Sequence, residues 1–535
     1  MEEAIAMATR VLVSSGVVLL SIVLSVPAAA GEWTGSSHEP LSQVRAGQPD
    51  SGAVTAAQGE LPGLIRRAMQ RTGVPGVAVA VVHRDRLTYK RGFGVRSTTT
   101  KKRVRPKTVF QIASLSKPVG ASAVAAAVGD GDVSWQDPVT AHLPDFQLSN
   151  PAIGARATIG DLYAHRSGLP GGAGNDLESF GFSRTDIVNR FRYEPLNPFR
   201  VTYEYSNFGM TAAGEAVARA VGADWADFTK RRLLRKLKMR HSSFSHADFR
   251  SQKNRAALHQ EMNGRWRPKI QRNPDPQSPA GGASSTVLDL ARWMRTLLAQ
   301  GEFRDKRVIA RRPLRAMLSP QIYLRAPQGD PVSFKAYGYG MNIETDDTGR
   351  VRWAHSGAFS DGAATRAVML PDLDLGIVVL TNGWPVGLAE TVADEFLDLV
   401  EFGEVRGDRL PDYRNKFAGL LATDHTLHGQ PLPERPTSPR DLADYVGTYY
   451  NDYVGTVRVT ERSGSLLLRV GPSGDTVLRL RHFEEDMFFH NEIRMPKGAW
   501  SAVEFSGVGP QGEATTIDLA AIDSHLGTLT RLTDS

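Results

Sequence analysis

Phe110-Gln111-Ile112-Ala113-Ser114-Leu115-Ser116-Lys117-Pro118 sets a serine one helical turn ahead of a lysine, inside an apolar surround. Residues i and i+3 share a helix face, so the Lys117 amine is expected beside the Ser114 hydroxyl. A serine hydroxyl is a weak nucleophile until a base takes its proton. A lysine does this at neutral pH only when burial or neighbouring cations lower its pKa. The apolar flanks, Val109 to Ala113 and Ala121 to Val128, point to that burial. They predict a buried helix whose N-terminus carries Ser114, with Pro118 in its first turn and a dipole that favours developing negative charge. Ordinary Ser and Lys frequencies give roughly one or two Ser-x-x-Lys matches in a chain of this size. Standing alone, the motif reads as a solvated lysine near a capping serine.

Further elements follow in order along the chain. Tyr205-Ser206-Asn207 offers a phenol and an amide, although the same spacing recurs at Tyr413 and Asn415 and at Tyr449 and Asn451, so position has to distinguish it. His355-Ser356-Gly357 lies between a strand-like run, Arg350 to Ala354, and a turn-rich stretch, Ala358 to Gly362. A sheet edge with an adjoining glycine lets a substrate backbone approach closely. In this order and with these flanks the chain resembles the serine beta-lactamase and penicillin-binding-protein superfamily. Within it, the resemblance is to the class C-like branch of esterases, D-aminopeptidases and D-Ala-D-Ala carboxypeptidases. The segments Leu162 to Pro170, Pro279 to Thr286 and Ala336 to Met341 add to the likeness, which spans Gln58 to Gly383.

The resemblance implies that Ser114 is acylated and that Lys117 and Tyr205 share the proton transfers. It implies substrate-binding roles for Asn207, His355, Ser356, Gly357 and Ala358, with Asn207 holding the substrate amide or the lysine. The oxyanion hole maps to the backbone N–H groups of Ser114 and Ala358; losing one such donor typically costs about 100-fold to 1000-fold in rate. His355 stands where beta-lactam-processing members often carry lysine. A lysine there is a permanent cation suited to a substrate carboxylate, whereas histidine is mostly neutral at pH 7. This moves weight from beta-lactamase or carboxypeptidase activity toward hydrolysis of small esters, amides or D-residue peptides. Arg366 is a candidate for a compensating cation, against its plain reading as an exposed strand residue. A further reading is a binding protein that keeps the penicillin-recognising fold without turnover.

The 535 residues, 41% hydrophobic and 23% charged, suffice for two or three globular domains. There is no cysteine, which excludes disulfides, a thiol nucleophile and cysteine-based metal sites. Nucleotide-loop, zinc-protease, dinucleotide and Gly-x-Ser-x-Gly motifs are absent, and the sequence calls for no metal and no cofactor. An apolar run from Val11 to Val26 followed by Pro27-Ala28-Ala29-Ala30 matches a signal peptide over residues 1–30, cleaved after Ala30. Glu2 and Glu3 fit such a signal poorly, and initiation at Met7 gives a better one. The expectation is an exported, periplasmic or extracellular protein, with an uncleaved membrane anchor as the alternative.

Residues 31–57 read as a linker, 58–422 as the hydrolase-like domain, 423–440 as a proline-rich linker and 441–535 as a second domain. In the main domain, a helix near Leu61 to Met69 and a hairpin, Val77 to Val82 with Leu87 to Val95, precede a helical middle region. Strand signals return at Tyr337 to Ile343, Val351 to Ala354, Ala364 to Leu370 and Leu375 to Thr381. The predicted class is α+β: one antiparallel sheet flanked by helices, with a helical subdomain and the active site at their junction. Eight short strand signals between Tyr445 and Leu532 predict a small closed all-β barrel. It resembles the lipocalin-like domains appended to some of these hydrolases, either holding a ligand or filled by its own side chains. The basic run Lys230 to Arg240 reads as a solvated helix face, with Leu233, Leu234, Leu237 and Met239 turned inward. The expected partner is a small-molecule or peptide substrate, cell-wall derived in one reading. No nucleic acid is expected, and the oligomeric state is left open.

Overall fold

The computed structural model describes residues 51–268, 272–328, 333–346, 348–421, 427, 430–491, 499–522 and 526–533. The signal-peptide reading of residues 1–30 and the alternative starts lie outside them. No helix among the described residues is long and apolar enough to cross a membrane.

Helix α1 (Ser51–Thr72) leads into a hairpin of β1 (Gly76–His83) and β2 (Arg86–Gly94). Its start corrects the linker expected to run to residue 57. Val54 and Ala57 continue the stripe of Leu61, Leu64, Ile65 and Ala68 and are buried with it, so the apolar face carries the helix back to Ser51. The helical region supplies α2 (Ser116–Asp130), α3 (Asn175–Ser179), α4 (Asn207–Ala220), α5 (Ser278–Gly281) and α6 (Val287–Leu298). Then come β3 (Ile322–Gln328), β4 (Ser333–Tyr337), β5 (Asn342–Thr345), β6 (Val351–Phe359), β7 (Ala363–Leu370) and β8 (Leu375–Thr381), closed by α7 (Leu388–Phe402) and α8 (Leu410–Leu421).

These eight strands form one antiparallel sheet in the order β2-β1-β8-β7-β6-β5-β4-β3. Early and late strands meet one strand in from the β2 edge, where Val77 to His83 pair with Thr381 to Leu375. Every residue of β1 is buried because both faces are covered. Val77, Val79 and Val81 pack with α1 and α7, while Ala78, Ala80 and Val82 face the core shared with α2 and α6. The strand expected from Tyr337 to Ile343 is instead two strands joined by a tight turn. Gly338 N–H donates to Met341 C=O at 2.8 Å, and Gly340 at φ +82 adopts the left-handed conformation that favours glycine. Edge strand β3 carried no clear signal, because Pro327 interrupts the run.

The C-terminal unit has nine strands: β9 (Gly447–Asn451), β10 (Gly455–Glu461), β11 (Leu466–Val470), β12 (Thr476–Arg479), β13 (Arg481–Glu484), β14 (Met487–Asn491), β15 (Trp500–Ser506), β16 (Thr516–Leu519) and β17 (Thr528–Arg531). They form a nearly closed, barrel-shaped antiparallel sheet in the order β12-β11-β10-β9-β17-β16-β15-β14-β13. Full closure and eight strands were expected. The extra strand is β13, separated from β12 only by Leu480, and one residue is too short for a hairpin that would pair these two edges. Buried Tyr449, Val457, Leu468, Val503 and Phe505 belong to its core. In the basic run of the main domain, Leu233, Leu234, Leu237 and Met239 are buried, and Arg232 reaches Asp130 and Asp132.

Candidate active site

Ser114 lies in a single tight helical turn, Ala113–Leu115, that feeds α2. Ala113 has φ +48, in the left-handed region, at a cost on the order of 1 kcal/mol for a residue with a Cβ. Ser116 braces this turn. Its hydroxyl donates to the Ala113 carbonyl at 2.5 Å and accepts from the Ala283 N–H at 2.8 Å. The second serine of the motif is therefore a structural tie, while Ser114 stays partly exposed.

Lys117 is fully buried, and its Nζ has three neighbours: Ser114 Oγ at 3.1 Å, Asn207 Oδ1 at 2.7 Å and the Ala280 carbonyl at 3.1 Å. Among the described residues no carboxylate forms an ion pair with it, and burial holds its pKa well below the usual lysine range. Two of the neighbours are obligate acceptors. A neutral amine satisfies both with its two hydrogens and turns its lone pair toward the Ser114 hydroxyl proton. Tyr205 completes the cluster, its phenol against the Ser114 hydroxyl and its ring centroid 4.5 Å from Nζ. Burial raises the Tyr205 pKa, with the Ser114 contact opposing it, so the phenol keeps its proton at neutral pH. The two residues flank a helix cap. Ser206 Oγ accepts from Gly209 N–H at 3.0 Å, starting α4 so that Asn207 occupies its first turn.

β6 forms the opposing wall, and its register sorts the predicted residues onto two faces. His355 and Gly357 face Ser114. A Cβ on Gly357 would lie 2.3 Å from the Ile112 carbonyl oxygen and 2.9 Å from Ser114 N, so only glycine lets these backbones touch. His355 is buried, with Nδ1 2.6 Å from the Ser356 carbonyl and Nε2 2.9 Å from the Tyr337 hydroxyl. The carbonyl only accepts, so Nδ1 carries the hydrogen and Nε2 accepts from the phenol. Burial, aided by Lys117 and Arg366, pushes the His355 pKa down to about 3. The ring is neutral, as its residue type suggested.

Two expectations are corrected on the far face. The Ser356 side chain does not face the site: its hydroxyl donates to Glu390 Oε1 on α7 at 2.7 Å. Arg366, its cross-strand partner, is neither exposed nor a cation for substrate. It is mostly buried beside Ser356 and pairs with Glu344 at 3.7 Å. Strand alternation explains both, since residues 355 and 357 on one face force 356 onto the other. Ala358 lies opposite Ala364, one residue before the turn that closes at Phe359. β5 pairs only as far as Ala354, leaving β6 an open edge from His355 onward. Alternation along the ladder aims the Ala358 N–H toward that edge.

Several contributors had no role assigned from sequence. Ala280 and Tyr337 lie in the resembling segments, as does His165, whose Nδ1 accepts from Ser206 N–H at 3.1 Å and whose ring centroid is 4.5 Å from that of Tyr205. Asn175 carried no signal: its Oδ1 accepts from Asn207 Nδ2 at 3.2 Å across 32 residues of sequence. Among the described residues no group of three or more His, Asp and Glu side chains could hold a metal ion.

Comparison with known proteins agrees with this geometry. Residues 61–401 match the beta-lactamase family model, and residues 432–531 match a domain of unknown function, DUF3471. An unguisins hydrolase, ungD', of Aspergillus campestris is 28% identical over 60% of this chain and 60% of its own length. A second, ungD of Aspergillus violaceofuscus, is 25% identical over 77% of this chain and 78% of its own. Protein flp of Staphylococcus aureus is 24% identical over 61% and 63%. The chain thus spans less than two thirds of the first and third of these relatives. In fold, the octameric penicillin-binding protein homologue from Pyrococcus abyssi superposes with a TM-score of 0.58 at 22% identity, covering 88% of this chain and 99% of that one. A family match over well over half of the chain, which takes in the Ser114 turn and the sheet behind it, means that this protein belongs to the beta-lactamase family of serine hydrolases.

Proposed function

We propose that the chain is an acyl-transfer hydrolase that forms a covalent ester on Ser114. The observation that carries this reading is the Lys117 amine, held beside Ser114 by two obligate acceptors with no carboxylate partner. Lys117 takes the Ser114 proton as Oγ bonds to the substrate carbonyl carbon, and the N–H groups of Ser114 and Ala358 receive the developing oxyanion. Tyr205, kept protonated by burial, gives its proton to the leaving group as the carbon–leaving-group bond breaks. Protonated Lys117 then restores the phenol, and water releases the acid through the same groups. The opposite shifts of the two pKa values assign base and acid.

The charges around β6 support a substrate class. His355 is neutral. Arg272, near Phe359, is held by Glu178 at 2.7 Å and Asp361 at 3.5 Å, and Arg366 is on the far face. Among the described residues around β6 these arginines are engaged by carboxylates, which supports small esters, amides or D-residue peptides over substrates with a carboxylate beside the scissile carbonyl. Two relatives named as hydrolases support hydrolysis in general.

The test is intact mass after incubation with a fluorophosphonate, with peptide mapping and Ser114→Ala as control. One adduct per chain on Ser114 is expected. A folded protein that takes no adduct would replace this reading with the non-catalytic binding protein. His355→Lys should improve acylation by penicillin-like substrates relative to neutral esters. No such gain would return beta-lactamase or carboxypeptidase activity to equal standing.

A further inference from the structure

Among the described residues, the C-terminal barrel reaches into the main domain around α3. Tyr453, in the turn between β9 and β10, is 3% exposed, and its hydroxyl lies 3.0 and 3.2 Å from the two Asp176 carboxylate oxygens and 2.9 Å from Glu194 Oε1. Its carbonyl accepts from Arg190 Nε at 2.6 Å. At the start of β12, Thr476 Oγ1 donates to the Phe180 carbonyl at 3.2 Å. Asp176 belongs to α3, and Phe180 is the residue that ends it.

The same short helix anchors the lysine site. Asn175 holds Asn207, which accepts from Lys117. Glu178 Oε2 accepts from Gln277 Nε2 at 2.5 Å and from Arg272 Nη2 at 2.7 Å. Gln277 immediately precedes α5, whose Ala280 carbonyl is the other acceptor of the Lys117 amine. Both obligate acceptors are thus tied to α3, and α3 is gripped by the barrel through Asp176 and Phe180. A helix of five residues has little stability of its own and takes its position from such contacts.

We propose that the C-terminal barrel is a positioning element for the Lys117 amine: Tyr453 and Thr476 fix α3, and α3 fixes Asn207 and the start of α5. This rests on the acyl-enzyme reading above. Tyr453 and Thr476 touch no reacting atom. They act by holding the two acceptors at the spacing a neutral amine needs, where a displacement of about 1 Å can cost up to about 100-fold in rate.

The test uses the full chain with Tyr453→Phe, which removes the hydroxyl and keeps the ring. The rate of fluorophosphonate labelling at Ser114 should fall about 10-fold at pH 7, with KM for a neutral ester changed by less than about twofold. Loosened packing around Lys117 lets its pKa rise toward the ordinary value, so the acid limb of the pH–rate profile should move to higher pH. Tyr450→Phe, on an exposed hydroxyl paired with Asp452, should leave rate and profile unchanged. On an Asn175→Ala background, Tyr453→Phe should add little, because both act through α3. A folded Tyr453→Phe protein with wild-type rate and profile would overturn the proposal, as would full additivity with Asn175→Ala. Should Tyr453→Phe not fold, Thr476→Val takes its place, with a loss of about 3-fold in the same direction expected; a wild-type rate there is equally damaging. Failure of the wild-type chain to label would instead strike the acyl-enzyme reading beneath the proposal.

Discussion

Two basic groups, the fully buried Lys117 and the mostly buried Arg366, lie on opposite sides of the sheet around β6, and they differ in what faces them. Lys117 meets a hydroxyl, an amide oxygen and a backbone carbonyl, and burial drives it toward the neutral form. Arg366 is mostly buried too, but Asp394, Glu344 and Glu390 hold its pKa above the usual value and keep it charged. Burial alone therefore does not make a base reactive. The presence or absence of a carboxylate decides whether a buried cation stays charged or gives up its proton, because partner attraction and lost hydration act in opposite directions. Among the described residues, the face that carries Ser114 is built without that partner, and the far face with several.

The contrast can be broken most severely at Lys117. Lys117→Ala should lower acylation by about 100-fold to 10,000-fold, read as the labelling rate of Ser114; a near-wild-type rate would move the base to Tyr205. Asn207→Asp makes the front face resemble the back by giving Lys117 a carboxylate. The amine should keep its proton, moving the acid limb of the pH–rate profile up by about 2 units and slowing acylation at pH 7 by about 100-fold. An unmoved limb would show that the neutral amine is not the base.

The converse change, Glu390→Gln, takes a carboxylate from Arg366 and should cost roughly 1–3 kcal/mol in urea denaturation while leaving the kinetic limb where it is. The smallest expected effect concerns His355. Its folded pKa of about 3 lies below the ordinary 6.5, so the stability it contributes is complete above pH 6.5 and is lost as pH falls toward 3. His165, also pushed down by burial, acts in the same direction. Denaturation midpoints should fall across that window, whereas His355→Gln should leave no change in the pH–rate profile between pH 5 and 9.

Local patterns carried much of the architecture. The hairpin before the catalytic helix and most of the short C-terminal strands follow from alternation and turn residues. Where a strand was misjudged, one residue explains it: Gly340 folds the run from Tyr337 to Ile343 back on itself, and Leu480 alone separates β12 from β13. At the candidate site, Ser114, Lys117, Tyr205 and Asn207 meet in one cluster. Ser356 and Arg366 were misassigned for a single reason. Alternation shows that Ser356 opposes His355, but only the pairing of β6 with β7 and the packing of α7 decide which face meets the nucleophile. Asn175 was illegible because it acts through a contact with no local spacing.

By itself the sequence determined the nearness of Ser114 and Lys117, since a separation of three residues spans one helical turn. It also placed at 355 a histidine, a residue whose ordinary pKa leaves it mostly neutral at pH 7. Only the tertiary structure decided the state of the Lys117 amine. Its acceptors come from 90 and 163 residues away, and the same packing that delivers them removes water and, among the described residues, brings no carboxylate. Helical spacing is a property of the local chain, whereas the charge of a buried amine depends on every group that folding places around it.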